Sequence, residues 1–439
     1  MKRMTLAYLM VKKVILKYVL AFVIGLMVLT QSACVSIKFE RDEIETYLLT
    51  QQPEKALTAL ESHEVKDRNK SLYLLDKAML LRMQNQFEDS SQVFEKAKRL
   101  TRKLDAISLR EQAAAISIND SQRSYLPQNF EQVLVHCFQA INYLQLQRYS
   151  DARVEILQLS ELLKQKDDIQ MPFAQYLSGL VFESNQELDN ALISYRKAYQ
   201  AYSSYNSAIP LMLKEDLLRL TKYLGLNDEH KKFLDEFDLQ IWPKQQDTDQ
   251  QAHAVAIVLN GLMPRKHSLE INVQSPTDGQ LHRISTPFYE HRETKVYGAE
   301  LSSELLNTSS EIIAQLDNQA RNALNNEMPS IIARTIARMS IKNSAVDETR
   351  EDLPLLSLAL EIAAIITEQA DIRAWNTLPQ QILIMRLSLP AGSHDLKLNL
   401  LGSNLPRNIQ TWQQVNIAKG ESRFFSYHSP DSYVTQRKP

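Results

Sequence analysis

From about residue 38 to residue 240 the apolar positions recur at helical spacing, in amphipathic stretches separated by short polar turns. Small residues punctuate them regularly: Ala78, Ser90 and Ala97; then Ala140 and Ala152; then Gly179, Ala191 and Ala198. Around residues 117–129, Asn119, Asp120, Ser124 and Pro127 break the period and predict a loop. The polar stretch 241–252, opening on Trp242 and Pro243, predicts a linker, and after it the pattern changes to period two. Ala254–Leu259 is a short apolar run stopped by Asn260 and Gly261, which suits a buried strand ending in a turn. Residues 268–273 alternate and then meet Ser275–Gly279, predicting a hairpin or meander. Further alternating runs at 381–389 and 395–401 join through Pro390 and Gly392, and runs at 411–417 and 422–427 join around Gly420. Helical spacing returns between these sets, at Ile312, Ile313, Leu316, Ala320, Ala323 and Leu324, then Ile331, Ile332, Ile336 and Met339. A second run, Leu355–Ile366, is apolar almost all round; about twelve residues cannot span a bilayer, so a core helix is expected.

The small residues fall at the eighth, twentieth and twenty-seventh positions of the tetratricopeptide unit, where two helices approach closely. Phe182 and Tyr195, and in the preceding copy Tyr143 and Tyr149, occupy its aromatic positions, while Tyr47, Ala56 and Leu60 suggest an earlier partial unit. A hairpin of this kind cannot bury its apolar face alone, so neighbours stack into a solenoid whose concave side usually holds a peptide or a partner helix. The expected fold is α+β: an N-terminal TPR-like helical solenoid (34–240), a linker (241–252), and a strand-rich sheet or sandwich domain (253–430) with an inserted helical pair (about 309–368), then a tail (431–439).

The first 33 residues read as a signal peptide. Lys12, Lys13 and Lys17 precede the apolar run Val19–Leu29, too short to span a membrane. Gln31-Ser32-Ala33-Cys34 resembles the lipobox of bacterial lipoproteins, with Gln31 departing from its usual aliphatic residue, and implies lipidation at Cys34. A signal complete from Met10 would place the true start there. Val35 after the cysteine lacks the Asp that resembles an inner-membrane retention signal, so the outer membrane, facing the periplasm, is expected. Cleavage removes five basic and no acidic residues, leaving 45 basic against 52 acidic. No nucleic-acid surface is implied by that balance.

Nine glycines in 439 residues, about 2% against a usual level near 7%, build no G-x-G-x-x-G, Walker A or G-x-S-x-G motif. The nine histidines include no H-E-x-x-H spacing, so no catalytic site, metal or cofactor is expected. His282 and His291 with Glu290 and Glu293 would converge if 281–296 formed a hairpin, although such a cluster is more often solvated surface. Cys137, in a helical apolar pattern, reads as a small buried hydrophobe. Asp371, Arg373 and Trp375 read as a salt bridge and a buried indole leading into a strand, with a partner-contact patch as the other reading. Arg265 and Lys266, adjacent cations on a loop, are candidates for binding an acidic partner group; Gln147 and Gln186 are candidates for partner contact beside the groove.

The phrase from Phe130 to Leu144, the run Tyr176–Leu180, the turn Asn260–Lys266 and the segment Asp371–Pro379 together resemble a family of proteobacterial tetratricopeptide-type envelope lipoproteins. The resemblance covers most of the mature chain. It implies a helical-repeat half followed by a strand-rich half, and a place beside companion lipoproteins related to the curli secretion pore and to activators of peptidoglycan synthases. No catalytic residues come with it. Two functions are therefore expected in competition: a membrane-anchored scaffold binding envelope proteins, or an envelope enzyme acting on peptidoglycan or lipid from the strand-rich half.

Overall fold

The computed structural model describes residues 41–110, 120–166, 171–204, 208–238, 251–274, 279, 281–304, 306–350, 370–402 and 409–434. The signal peptide, Cys34, the expected linker up to residue 250 and the apolar run Leu355–Ile366 lie outside them.

Among the described residues, ten α-helices precede the strands. They are α1 (41–49), α2 (Pro53–Ser62), α3 (Lys70–Met83), α4 (Phe87–Arg110), α5 (Asn129–Gln145), α6 (Tyr149–Gln165), α7 (Pro172–Ser184), α8 (Leu188–Ser204), α9 (Leu211–Tyr223) and α10 (Asn227–Glu236). They pair as five antiparallel hairpins, and each turn is built the same way. A residue at positive φ (Gln51, Asn85, Gln147, Gln186 or Gly225) follows the first helix. Its N–H and that of the next residue donate back three and five residues, as in Gln186 to Glu183 O (2.9 Å) and Glu187 to Phe182 O (2.9 Å). This is the Schellman closure, which satisfies the last carbonyls of a helix. Ala78, Ala97, Ala140, Ala152, Ala191 and Ala198 are all fully buried between helices. At Gly179 a Cβ would overlap the Tyr195 ring, so only glycine lets α7 and α8 come this close.

The strand-rich half is a sandwich of two four-stranded sheets. One has the order β11 (Ser422–Ser429), β1 (Gln251–Asn260), β8 (Gln381–Pro390), β7 (Glu311–Gln315), with β1 and β11 parallel; the other runs β10 (Gln410–Ile417), β9 (Gly392–Gly402), β5 (Val296–Ser302), β6 (Asn307–Ser309). A two-stranded ribbon, β2 (Lys266–Gln274) with β3 (Leu281–Tyr289), and the short pair β4 (Arg292–Thr294) with β12 (Ser432–Val434) complete it. The sandwich core joins Ala252, Ala254, Ala256 and Val258 to Leu396, Leu398 and Leu400. The opposite face of the first sheet, with Val255, Ile257, Leu259 and Phe424, shares one hydrophobic core with the helices. Three layers result: solenoid, first sheet, second sheet. Because β1 is apolar on both faces, its sequence is a continuous run rather than an alternation.

Two expectations change. The runs joined through Pro390 and Gly392, and those around Gly420, do not pair with each other: β8 and β9 lie in different sheets, and so do β10 and β11. Gly392, at φ 147°, sits where the chain crosses between layers. The inserted helix α11 starts at Leu316 and runs to Arg350, while Ile312 and Ile313, read as helical, belong to β7. Two adjacent apolar residues fit either period, and pairing with β8 decides.

Candidate functional site

The inner helices α5 and α7 line the concave side of the solenoid. A partner's place there is taken by the chain's own sheet: α5 lies against β11 and α7 against β7. Along α5, Leu134, Cys137, Ile141 and Leu144 are fully buried, and Phe173, Tyr176 and Leu180 of α7 are 2% exposed or less. Cys137 is thus the small buried hydrophobe its pattern indicated, and burial pushes its thiol pKa up.

Apolar packing leads the filling. Trp375, fully buried, sets its indole edge-on between Phe94 (6.2 Å) and Phe138 (6.0 Å), and its Nε1–H donates to Thr377 Oγ1 at 3.0 Å. Arg373 pairs with Asp371 at 2.6 Å and reaches back to Asn69 and to the Arg123 carbonyl. The structural reading of this segment therefore holds, and its reach extends into the solenoid. Thr377 Oγ1 donates to Asp76 (2.8 Å), and Tyr202 donates to Ile313 O (2.5 Å). Glu311 of β7 accepts from the N–H groups of Leu211 and Met212 at 2.8 Å each, capping α9 from the other half of the chain.

Two buried polar clusters close the groove. In the first, Arg386 of β8 enters between α7 and α9 and pairs with Asp216; Arg219 bridges Asp216 and Glu183 at 2.8 Å each. Tyr176 donates to Asp216 and Tyr195 to Glu183, both at 2.8 Å. Burial opposes charge on Glu183, but the two guanidiniums outweigh it and hold the carboxyl well below its usual range. Nearby, burial together with Arg386 and Arg219 lowers His253 to about 3. In the second cluster, fully buried Arg82 of α3 donates to His428 Nε2 (3.1 Å), Phe138 O (3.1 Å) and Asn142 Oδ1 (2.5 Å). Burial lowers Arg82 to about 9, and burial with Arg82 adjacent keeps His428 neutral. In the first cluster the buried charges are paired with one another, whereas in the second the Arg82 guanidinium meets only neutral acceptors.

The sequence-derived candidates fall elsewhere. Gln147 and Gln186 are exposed, but at the left-handed turns between helices rather than on the groove wall. Arg265 is already engaged with Asp42 and with Glu45 (2.5 Å) of α1, so its acidic partner is in the same chain. Lys266 lies over the Tyr289 ring at 5.3 Å. His291 pairs with Glu293 (3.2 Å) on the surface, in line with the solvated-surface reading, and residues 281–289 pair with β2 rather than folding back on 292–294, so the hairpin that would have gathered His282 and His291 with the glutamates does not form. Among the described residues no group of three or more His, Cys, Asp or Glu could hold a metal ion, and no helix is long and apolar enough to cross a membrane. Sequence reasoning missed Arg386 and His428 as groove residues. The available signal was the run Ala252–Leu259: a strand apolar on both faces needs a layer on each side.

No protein-family model matches the chain, nor does any curated protein. It is similar to solved structures of helical-repeat proteins. One is MamA from Desulfovibrio magneticus RS-1, residue 41 to its end, at 16% identity and TM-score 0.31, covering 48% of this chain and 97% of that one. Another is the apo form of RapI, at 12% identity and TM-score 0.34, covering 46% and 52%.

Proposed function

We propose that this protein is a periplasm-facing lipoprotein, anchored in the outer membrane through Cys34, that acts as a protein-binding scaffold in an envelope complex serving secretion or peptidoglycan growth. The observation that carries the reading is the division of labour within the solenoid. Its concave side is sealed by the chain's own sheet, whereas the outer helices present apolar side chains to solvent: Val154 on α6 and Ile193 on α8 at the same position of successive repeats, and Leu157 three residues after Val154, each 45% exposed or more. Ion pairs between successive hairpins flank them, Arg153 with Glu187 and Arg196 with Glu229, and hold neighbouring repeats in register. A partner is therefore recruited on the outer ridge, by binding rather than by chemistry, with the companion lipoproteins of the envelope as the expected class.

The test is photo-crosslinking in cells from positions 157 and 193, with Phe182 as a buried control. The expected result is capture of one and the same envelope protein from both outer positions, absent from the control and lost with Cys34→Ser, which releases the anchor. Capture of nothing from either position overturns the outer-ridge reading.

A further inference from the structure

Five of the eight residues 96–103 are lysine or arginine and none is acidic, in a chain whose formal charge is -2 overall. All eight lie in α4. Lys98 turns inward, 7% exposed, and binds Glu155 of α6 (2.8 Å) and Glu95 (2.5 Å). The other four, Lys96, Arg99, Arg102 and Lys103, are exposed. Helical spacing puts 96, 99 and 103 on one stripe. Arg102 shares the row of Lys98 and Asp105, whose partners Glu155 and Lys166 belong to α6 and to the residue that ends it. Seven residues of helix advance about 10 Å, so the four cations sit within two turns.

Among the described residues Lys96, Arg102 and Lys103 have no ion pair or hydrogen bond, and Arg99 has only the field of Glu95, whose carboxylate is already taken by Lys98 and by the Gln139 amide (2.8 Å). The exposed acid on the neighbouring stretch of α6, Glu161, is engaged within its own helix by Lys164 (3.9 Å) and Gln165 (3.2 Å). Elsewhere on the outer helices the arginines are matched: Arg148 with Glu88 and Asp151, Arg153 with Glu187, Arg196 with Glu229. Like charges three and four residues apart oppose helix formation. A bare stripe therefore costs the free chain a little, and a complementary charge relieves it. The pairs Lys98–Glu155 and Lys166–Asp105 (3.6 Å) tie α4 beside α6, so the stripe is continuous with the surface that carries Val154 and Leu157.

We infer that the partner recruited on the outer ridge lays an acidic segment of its own chain along α4, with carboxylates on Lys96, Arg99, Arg102 and Lys103, beside the apolar contact on α6; this rests on the ridge reading of the proposed function. A protein segment fits the stripe better than a lipid surface does. The row that holds Lys96 and Lys103 continues towards the helix start through exposed Gln92 to exposed Asp89, with exposed Glu88 on the flank, and these acids would meet headgroup phosphates with the wrong sign. The two arginines offer planar forks that match carboxylates bidentately. Pairs at an exposed surface are individually weak and screened by salt. The stripe thus sets the orientation and encounter rate of the partner, while the apolar contact holds it.

The experiment uses the full chain in cells, with a photo-crosslinking residue at position 158, where Gln158 is exposed on α6 beside Val154, or at position 193. Reversing the stripe with Lys96→Glu, Arg99→Glu, Arg102→Glu and Lys103→Glu together is expected to cut capture of the partner from both positions about tenfold. Arg99→Lys with Arg102→Lys should keep most of it, because the charge stays. A thermal midpoint of the reversed chain close to the parent's shows that the fold is intact; should it fall, Arg102→Glu with Lys103→Glu takes its place. Reversal that leaves capture unchanged overturns the inference while the ridge reading stands. Absence of capture from the parent at both positions overturns the ridge reading instead. The purified Cys34→Ser chain, which lacks the acyl anchor, then decides the stripe by itself, titrated with a fluorescent polyglutamate peptide and with phosphatidylglycerol vesicles. Peptide binding that is lost on charge reversal and weakens as salt rises supports the acidic segment. Equal peptide affinity of parent and reversed chains, or binding to the vesicles alone, overturns it.

Discussion

The inner and outer helices of the solenoid share one repeat, one set of small residues and one turn geometry, yet they end in opposite environments. α5 and α7 are buried along nearly their whole length, whereas α6 and α8 keep an exposed face with apolar residues on it. The strands of the second half of the chain make the difference. Strand β1 and its neighbours β8 and β11 need cover on both faces, and the inner helices supply one of the two. A repeat fold that ordinarily offers its groove to a partner has here used it to complete its own core. Under the proposed function, recruitment moves to the side that packing left open.

The sharpest way to break this comparison is to remove the residue that fills the groove. Trp375→Ala takes a fully buried indole from between Phe94 and Phe138 and leaves a cavity shared by both halves. The expected cost is about 3–5 kcal/mol, read as a lowered denaturant midpoint for the whole chain. Because one core joins solenoid and sheet, helical and strand signals should fall together. A loss below about 1 kcal/mol, or a transition confined to the strand half, would show that the two halves are separable units.

How much of this could be read beforehand depends on how local each feature is. The repeat phases at Ala78, Ala140 and Gly179 are contained within single hairpins, so they were legible, and burial at each of them is complete or, at Gly179, forced by Tyr195. The structural role of Trp375 was legible too, from its junction position. The sheet membership of β8 and β9 was not, because both alternate equally well and only the crossing at Gly392 separates them. Nor was the partner of Arg386, since Asp216 and Glu183 lie on other helices far away in sequence and no local spacing links them. Arg265 looked like an available cation for the same reason: its partners, Asp42 and Glu45, are more than two hundred residues earlier.

The polar side of the groove sharpens the comparison through pH. His428 accepts from Arg82, which requires an unprotonated Nε2, and His253 is held neutral down to about 3 by burial beside Arg386 and Arg219. Both folded-state values lie below the ordinary histidine value, so the unfolded chain takes up protons first as pH falls. Stability contributed by these groups is fully present above about pH 6.5 and is lost progressively below it, down towards the folded values. At pH 5.5 each histidine should cost about 1 kcal/mol relative to pH 7.5. Denaturant midpoints across that range provide the check. His253→Asn should flatten the slope by roughly half, and an unchanged slope would remove His253 from the seam.

The smallest effect on stability is expected on the outer face, and it completes the contrast. Val154, Leu157 and Ile193 are about half exposed in the folded chain, so little apolar area is lost when they become serine. Each substitution should stay within about 0.5 kcal/mol of the parent, with the triple variant close to the sum because no buried network joins them. If these residues are only incidental surface, cells carrying the triple variant will behave as the parent does. If they form the recruiting ridge, the variant will keep its fold and its membrane fraction while the partner captured from positions flanking the ridge is lost. A large loss of stability instead would mean that the outer helices, like the inner ones, are covered by the chain itself.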